Sequence, residues 1–217
     1  ATANNDTGKT IEVLALAGGA GLVGIGAAVS FADISNNVDA NLSSGANAGS
    51  GTVTVSAEDK TDIESDAKGA AVGAAAAGVV ISEASKGSTI NAVVGGTIEA
   101  NISASDSGFI NSLGQSAAGG LSGGHSGALV TAADDSTITA LTASGTTFNL
   151  GSGSLNVTAT STPRTEAEAD GVAVSASLAI GASLADASIE TTINALIGNS
   201  NTVNAGGLNL TAQQLRS

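Results

Sequence analysis

The sequence predicts an all-β chain, a parallel β-helix (β-solenoid) built from about four ~52-residue repeats. Three observations predict it. Near-identical phrases recur: VDANL from Val38, INAVV from Ile90, ITALT from Ile138 and INALI from Ile193, at steps of 52, 48 and 55 residues. A second set of strand endings keeps the same period: Ala57, Ala104, Ala159 and Ala212, with Ala3 in phase, at steps of 54, 47, 55 and 53. Between these markers the apolar residues alternate with period two, the signature of a strand.

The repeats run approximately 1–54, 55–101, 102–156 and 157–209, with the start of a fifth at 210–217, as one array. A third marker sits inside each. Ala32, Ala84, Ala132 and Ala187 each precede the recurring phrase by six residues, and Gly26, Gly78, Ser126 and Gly181 lie six further back. The chain begins and ends in the same phase of the repeat, and it opens with neither Met nor a signal peptide. Both features predict a fragment of a longer chain.

The alternation is clearest in the fourth repeat. Val172, Val174, Ala176, Leu178, Ile180, Ala182 and Leu184 form a bulky face; Ala173, Ser175, Ser177, Ala179, Gly181, Ser183 and Ala185 form a small one. Alanine favours helices, but glycine inside a helix costs roughly 1 kcal/mol each, and the bulky residues recur every second position. A dry interior of stacked Val, Ile, Leu and Ala is expected, with the Ala/Ser/Gly face open to lateral association. SSGANAGSG (43–51), GSGS (151–154) and NAGG (204–207) read as turns, because Gly and Asn tolerate positive φ.

Two coils per repeat are expected. Glu12, Asp66 and Glu168 all follow their anchor alanines by nine residues, with Leu113 in the third repeat. Like charges stacked at the ~4.8 Å strand spacing would repel, and a second coil would double that spacing.

Composition narrows the function classes. Aromatic residues are 1% of the chain against 42% hydrophobic, there are 30 glycines and one proline, and cysteine is absent. Disulfides and thiolate metal sites are thereby excluded. A net charge of −13 with six basic residues argues against nucleic acid and anionic lipid, both of which need Lys and Arg. It favours solubility and mutual repulsion. Val13–Ala32 is uncharged and long enough for a membrane helix. The equivalent segments of later repeats carry Glu83, Lys86, Asp170 and Asp186, so no membrane span is expected.

Candidate chemistry is sparse. Gly124-His125-Ser126-Gly127-Ala128 approximates a nucleophile elbow, but Ala replaces the last glycine and no helix pattern follows. His125 is the only histidine and adjoins the serine, whereas a triad needs a separately placed base. A glycine-rich strand or turn is the simpler reading, and no enzyme is expected. Asp62, Glu64 and Asp66, within the acidic run that begins Glu58-Asp59, and Glu166, Glu168 and Asp170 are weak candidates for calcium, which takes oxygen ligands. Neither the calcium nonapeptide nor an EF-hand loop occurs, so a solvated acidic edge is the simpler account. Asp134-Asp135 reads as a turn. Thr52-Val53-Thr54 and Thr137-Ile138-Thr139 suggest an ice-binding array, but such a surface needs many stacked pairs. Asn5, Asn41, Asn101, Asn156 and Asn209 head Asn-x-Ser/Thr sequons.

INAVVGG, INALIGNSNTVNAGGLNLTAQ and GSGSLNVTAT, with long Ala/Gly/Val runs, resemble the repetitive regions of giant bacterial exoproteins. These are haemagglutinin-like and leukotoxin-like adhesins of the two-partner secretion type, and the resemblance covers essentially the whole chain. It implies an extracellular or cell-surface shaft or filament for attachment in a Gram-negative bacterium. Expected partners are neighbouring repeats, identical chains stacked end to end or side by side, and a cell-surface or glycan receptor. No cofactor other than calcium is expected.

Overall fold

The computed structural model describes residues 2–5, 10–43, 51–96 and 99–216. They form strands and turns with no helix among them. In chain order the strands are β1 (Thr2–Asn5), β2 (Thr10–Ile34), β3 (Asn37–Leu42), β4 (Thr52–Asp59), β5 (Asp62–Lys86), β6 (Thr89–Val94) and β7 (Glu99–Asp134). Then come β8 (Thr137–Thr142), β9 (Thr147–Asn149), β10 (Ser154–Ser175), β11 (Ala179–Ile189), β12 (Thr192–Ile197), β13 (Thr202–Asn204) and β14 (Gly207–Gln214).

Every pairing is parallel, and each strand pairs with its counterpart one repeat away. β2 lies on β5, β5 on β7, and β7 on β10 and β11. β3, β6, β8 and β12 form a second sheet in that order, and β9 pairs β13 in a third. The sequence markers become columns of neighbours. Ala3, Ala57, Ala104, Ala159 and Ala212 are register partners, as are Ala40, Ala92, Ala140 and Ala195. Ala32, Ala84, Ala132 and Ala187 form another such column.

The long strands fold back on themselves. Ser82 Oγ donates to the Ser65 carbonyl at 2.7 Å, 17 residues earlier, and Ser30 Oγ donates to the Val13 carbonyl at 3.1 Å across the same interval. In the third repeat Ser126 Oγ reaches the Ser116 carbonyl at 3.0 Å. Each repeat is therefore a flat U, and stacked U's form a two-layer slab. The bends fall on glycine-rich segments; a Cβ on Gly19 would stand 2.0 Å from the Ile25 carbonyl oxygen, so only glycine fits there.

Two interiors result. Towards β3, β6 and β8 the layers enclose Val55, Ile90, Ile102, Ile138, Leu155 and Val157, a largely aliphatic core of the expected kind to which Phe148 adds one aromatic ring. Towards the bends the expected facing is reversed. The small residues point inward: Ala67, Ala71, Gly78, Ser82, Ser112, Ser116, Ala118, Ser126 and Ala128 are buried. Most bulky residues point outward, with Val72 63% and Leu121 75% exposed even in the middle repeats, while Val80 and Val130 stay buried where they face Gly69 and Gly114. The reason is the closeness of the layers: a Cβ on Gly78 would lie 2.6 Å from the Ala117 carbonyl oxygen, and one on Gly26 2.2 Å from that of Ala70. Gly, Ala and Ser fill most of such a gap, valines entering only opposite glycines, and the serines satisfy one another within it. Ser65 Oγ donates to Ser30 Oγ at 2.8 Å and Ser112 Oγ to Ser82 Oγ at 2.9 Å. In the middle rungs of this half the Ala/Ser/Gly face expected to be open is therefore turned inward.

The coil count also differs from expectation. Register partners are separated by one repeat: 52 residues from Asn91 to Asp39, 47 from Ser103 to Ser56, 55 from Asn156 to Asn101. One rung, not two coils, makes each repeat. The charge argument misled because the rungs differ in length between the anchor alanine and the acidic column. Glu12 neighbours Glu64, and Asp66 neighbours Leu14 on one side and Leu113 on the other. The arrangement is compatible with a β-solenoid, although the described strands do not close into one. Of the predicted turn 43–51, residues 44–50 lie outside the described residues.

Candidate functional site

The most concentrated chemistry lies between the aliphatic core and the small-residue gap. Asp59 and Asp106 each follow an anchor alanine by two residues and so point inward from one layer. Lys86 and Asp134 follow the Ala84 and Ala132 column by two and point inward from the other. All four are buried, Lys86 at 1% exposure. Lys86 Nζ donates to Asp106 Oδ1 at 2.5 Å and lies 3.5 Å from Asp59 Oδ2. Thr61 Oγ1 donates to Asp59 Oδ1 at 2.7 Å, Asn36 Nδ2 reaches the same carboxylate at 3.3 Å, and Asp134 Oδ1 accepts the Ser136 N–H at 3.0 Å. Asp106 Oδ2, Asp134 Oδ2 and Ser161 Oγ have no hydrogen-bond partner.

The electrostatics follow. Three carboxylates share one ammonium in a low-dielectric interior. Burial pushes Asp106 up to about 6; Lys86 opposes that rise, while Asp134 and Asp59 add to it. Burial also works against charge on Asp59, but the neighbouring Ser88 and Thr61 hydroxyls, Lys86 and Asn36 outweigh it and hold the carboxyl below its ordinary value. Lys86 is raised, since the pull of Asp106, Asp59 and Asp134 exceeds the burial penalty. The cluster ties three rungs together and holds one carboxyl poised to take a proton.

The candidate calcium ligands are not brought together. Glu64 and Glu166 share a column but Asn111 stands between them; Leu113 stands likewise between Asp66 and Glu168. Asp170 neighbours Gln115, whose other neighbour is Lys68. Several have other partners: Asp62 Oδ1 accepts the Phe109 N–H at 2.8 Å, Asp66 pairs with Lys68 at 3.4 Å, and Glu166 pairs with Arg164. Among the described residues no three His, Cys, Asp or Glu side chains converge on a metal position.

Ser126 and His125 point to opposite faces. Ser126 is buried against Ser116, while His125 is exposed on the outside. Thr89, Thr137 and Thr192 do stack, but the next outward column reads Asp39, Asn91, Thr139, Asn194. Three sequon asparagines form a ladder instead. Asn156 Nδ2 donates to Asn101 Oδ1 and Asn209 Nδ2 to Asn156 Oδ1, each at 2.7 Å.

The buried cluster escaped the sequence reading, which took Asp59 as surface acid and Asp134 as a turn. Its signal was present: Asp59 and Asp106 occupy one repeat position, and Lys86 and Asp134 another. No protein-family model, curated protein or solved structure matches the chain.

Proposed function

We propose that the chain is a non-enzymatic structural segment of a β-solenoid shaft in a very large extracellular bacterial protein, serving attachment at the cell surface. The observation that supports this reading most is the register. Rung lies on rung at one repeat spacing along nearly the full length of every long strand. Such a stack has no natural limit, because the edge of each outermost rung offers unpaired N–H and C=O groups to the next. Its mechanics are those of a rod. Backbone ladders run along the axis, asparagine and serine ladders add side-chain hydrogen bonds in the same direction, and the Lys86 cluster resists slippage between rungs. The acidic columns keep neighbouring shafts apart outside their contact faces. A receptor, whether cell-surface protein or glycan, belongs to the same proposal.

Electron microscopy and fibre diffraction of the full chain, with and without EDTA, test it. A shaft gives filaments with a ~4.8 Å axial repeat that survive the chelator. Compact particles without that repeat would refute the shaft. Filaments that dissolve in EDTA would favour a calcium-dependent adhesin segment.

A further inference from the structure

We infer that the bulky outer face of the second layer, formed by residues 23–31, 75–82, 123–130 and 178–185, is the surface through which a second copy of this chain docks side by side. The face is apolar across all four rungs apart from His125, which is exposed on the third. Ile25 is 67% exposed, Val29 50%, Val79 50%, Leu129 44% and Leu184 63%. Val79 and Leu129 belong to the middle rungs, so the open ends of the stack do not account for their exposure. No Asp, Glu, Lys or Arg occurs in these four segments, and the first charges beyond them, Asp33, Glu83 and Asp186, line one margin. An apolar centre with a charged rim is the anatomy of a protein interface. The inward side of the same strands is filled by Gly, Ala and Ser with Val80 and Val130, so the outer side chains have no room to turn in.

Area and charge decide the occupant. About eight residues at ~3.3 Å rise and four rungs at ~4.8 Å give a footprint of roughly 510 Å². A standard interface uses about 800 Å² per partner, and each further rung adds roughly 130 Å² here by the same spacings. Four rungs pair weakly and longer arrays pair firmly, as two shafts lying side by side require. A two-fold axis along the stack sets the tips of the two slabs in opposite directions. It moves the acidic margins to opposite sides of the contact, and it lays the central column Ala27, Val79, Gly127 and Ala182 against its own copy, an isologous contact. Lipid hydrocarbon fits less well, because the open strand edges of the end rungs would enter it unsatisfied.

The inference rests on the shaft reading for the identity of the partner, but its test is read on the four-rung chain and can fail while filaments still form. The chain lacks cysteine, so single cysteines report contacts cleanly. Val79→Cys and, on the outer face of the other layer, Val72→Cys are oxidised with copper–phenanthroline at matched concentration. Disulfide-linked dimer from Val79→Cys and little from Val72→Cys is the expected result. Equal yields, cross-linking at Val72→Cys alone, or none at either position would overturn the inference. So would uptake by neutral phosphatidylcholine vesicles with Val79→Cys remaining monomeric. Val79→Lys with Leu129→Lys is expected to weaken dimerisation in sedimentation about 100-fold or more, since each charge would be buried unpaired. Val72→Lys, its matched control, is expected to leave dimerisation unchanged.

Discussion

Lys86 Nζ lies 2.5 Å from Asp106 Oδ1, and neither side chain is exposed to solvent. The two come from different rungs and different layers, so the pair fixes the rungs in register and the layers at one lateral offset. Truncating one partner strands the other in the interior. Lys86→Met is expected to lower unfolding free energy by about 3–5 kcal/mol, measured by denaturant titration. Adding Asp106→Asn to that variant should return part of the loss, because one buried carboxylate then no longer needs an ammonium.

The same cluster sets a pH dependence with opposing limbs. Asp106 is raised to about 6, so its contribution is fully present below the ordinary Asp value of 3.8 and is lost as pH rises through 6. Asp59 is lowered, so its contribution is present above 3.8 and is lost as pH falls through its depressed value. Stability should therefore peak near pH 4 and fall between about pH 4 and 6. In Asp106→Asn that fall should flatten, while the acid limb remains. Thermal unfolding across both limbs reads them.

The gap between the layers makes a sharper steric prediction. Gly78→Ala places a Cβ 2.6 Å from the Ala117 carbonyl oxygen and is expected to cost about 1–3 kcal/mol. A Cβ on Gly18 meets nothing within 4 Å. Gly18→Ala should be neutral or gain about 0.5–1 kcal/mol, as expected for glycine within a strand. Chemical denaturation of the two variants side by side checks the contrast.

Asn156 stands in the middle of its ladder, donating to Asn101 and accepting from Asn209. Asn156→Ala removes both bonds on a half-exposed face and is expected to cost about 1–2 kcal/mol. Asn209→Ala breaks only the terminal bond and should cost less, in the same denaturation assay.

Stacking was legible in the sequence because it is repetitive. Ala57, Ala92 and Ala132 occupy positions where an equivalent alanine lies above and below, so spacing alone predicted their columns. The facing of the strands was not legible near the bends. Alternation separates two faces without saying which is inside, and Val72 and Leu129 would sit inside an ordinary core. Here the closeness of the layers, visible only in contacts such as Gly78 against Ala117, decides it. The coil count failed for a related reason: anchor spacing placed Glu12 and Asp66 in one column, whereas a difference in rung length makes Glu64 the partner of Glu12. The buried cluster is hard to read because Asp59 and Lys86 are charged residues in polar contexts, which ordinarily mark a surface.

The central claim is that one rung makes one repeat, and paired cysteines test it most directly. Asn91 and Thr139 are register partners on adjacent rungs. Strand neighbours lie ~4.8 Å apart, within the Cα range a disulfide spans. Asp39 and Thr139 are two rungs apart, roughly 9.6 Å, beyond that range. The account predicts that Asn91→Cys with Thr139→Cys forms an intramolecular disulfide on mild oxidation and that Asp39→Cys with Thr139→Cys does not. Failure of the first pair, or equal closure of both, would contradict it.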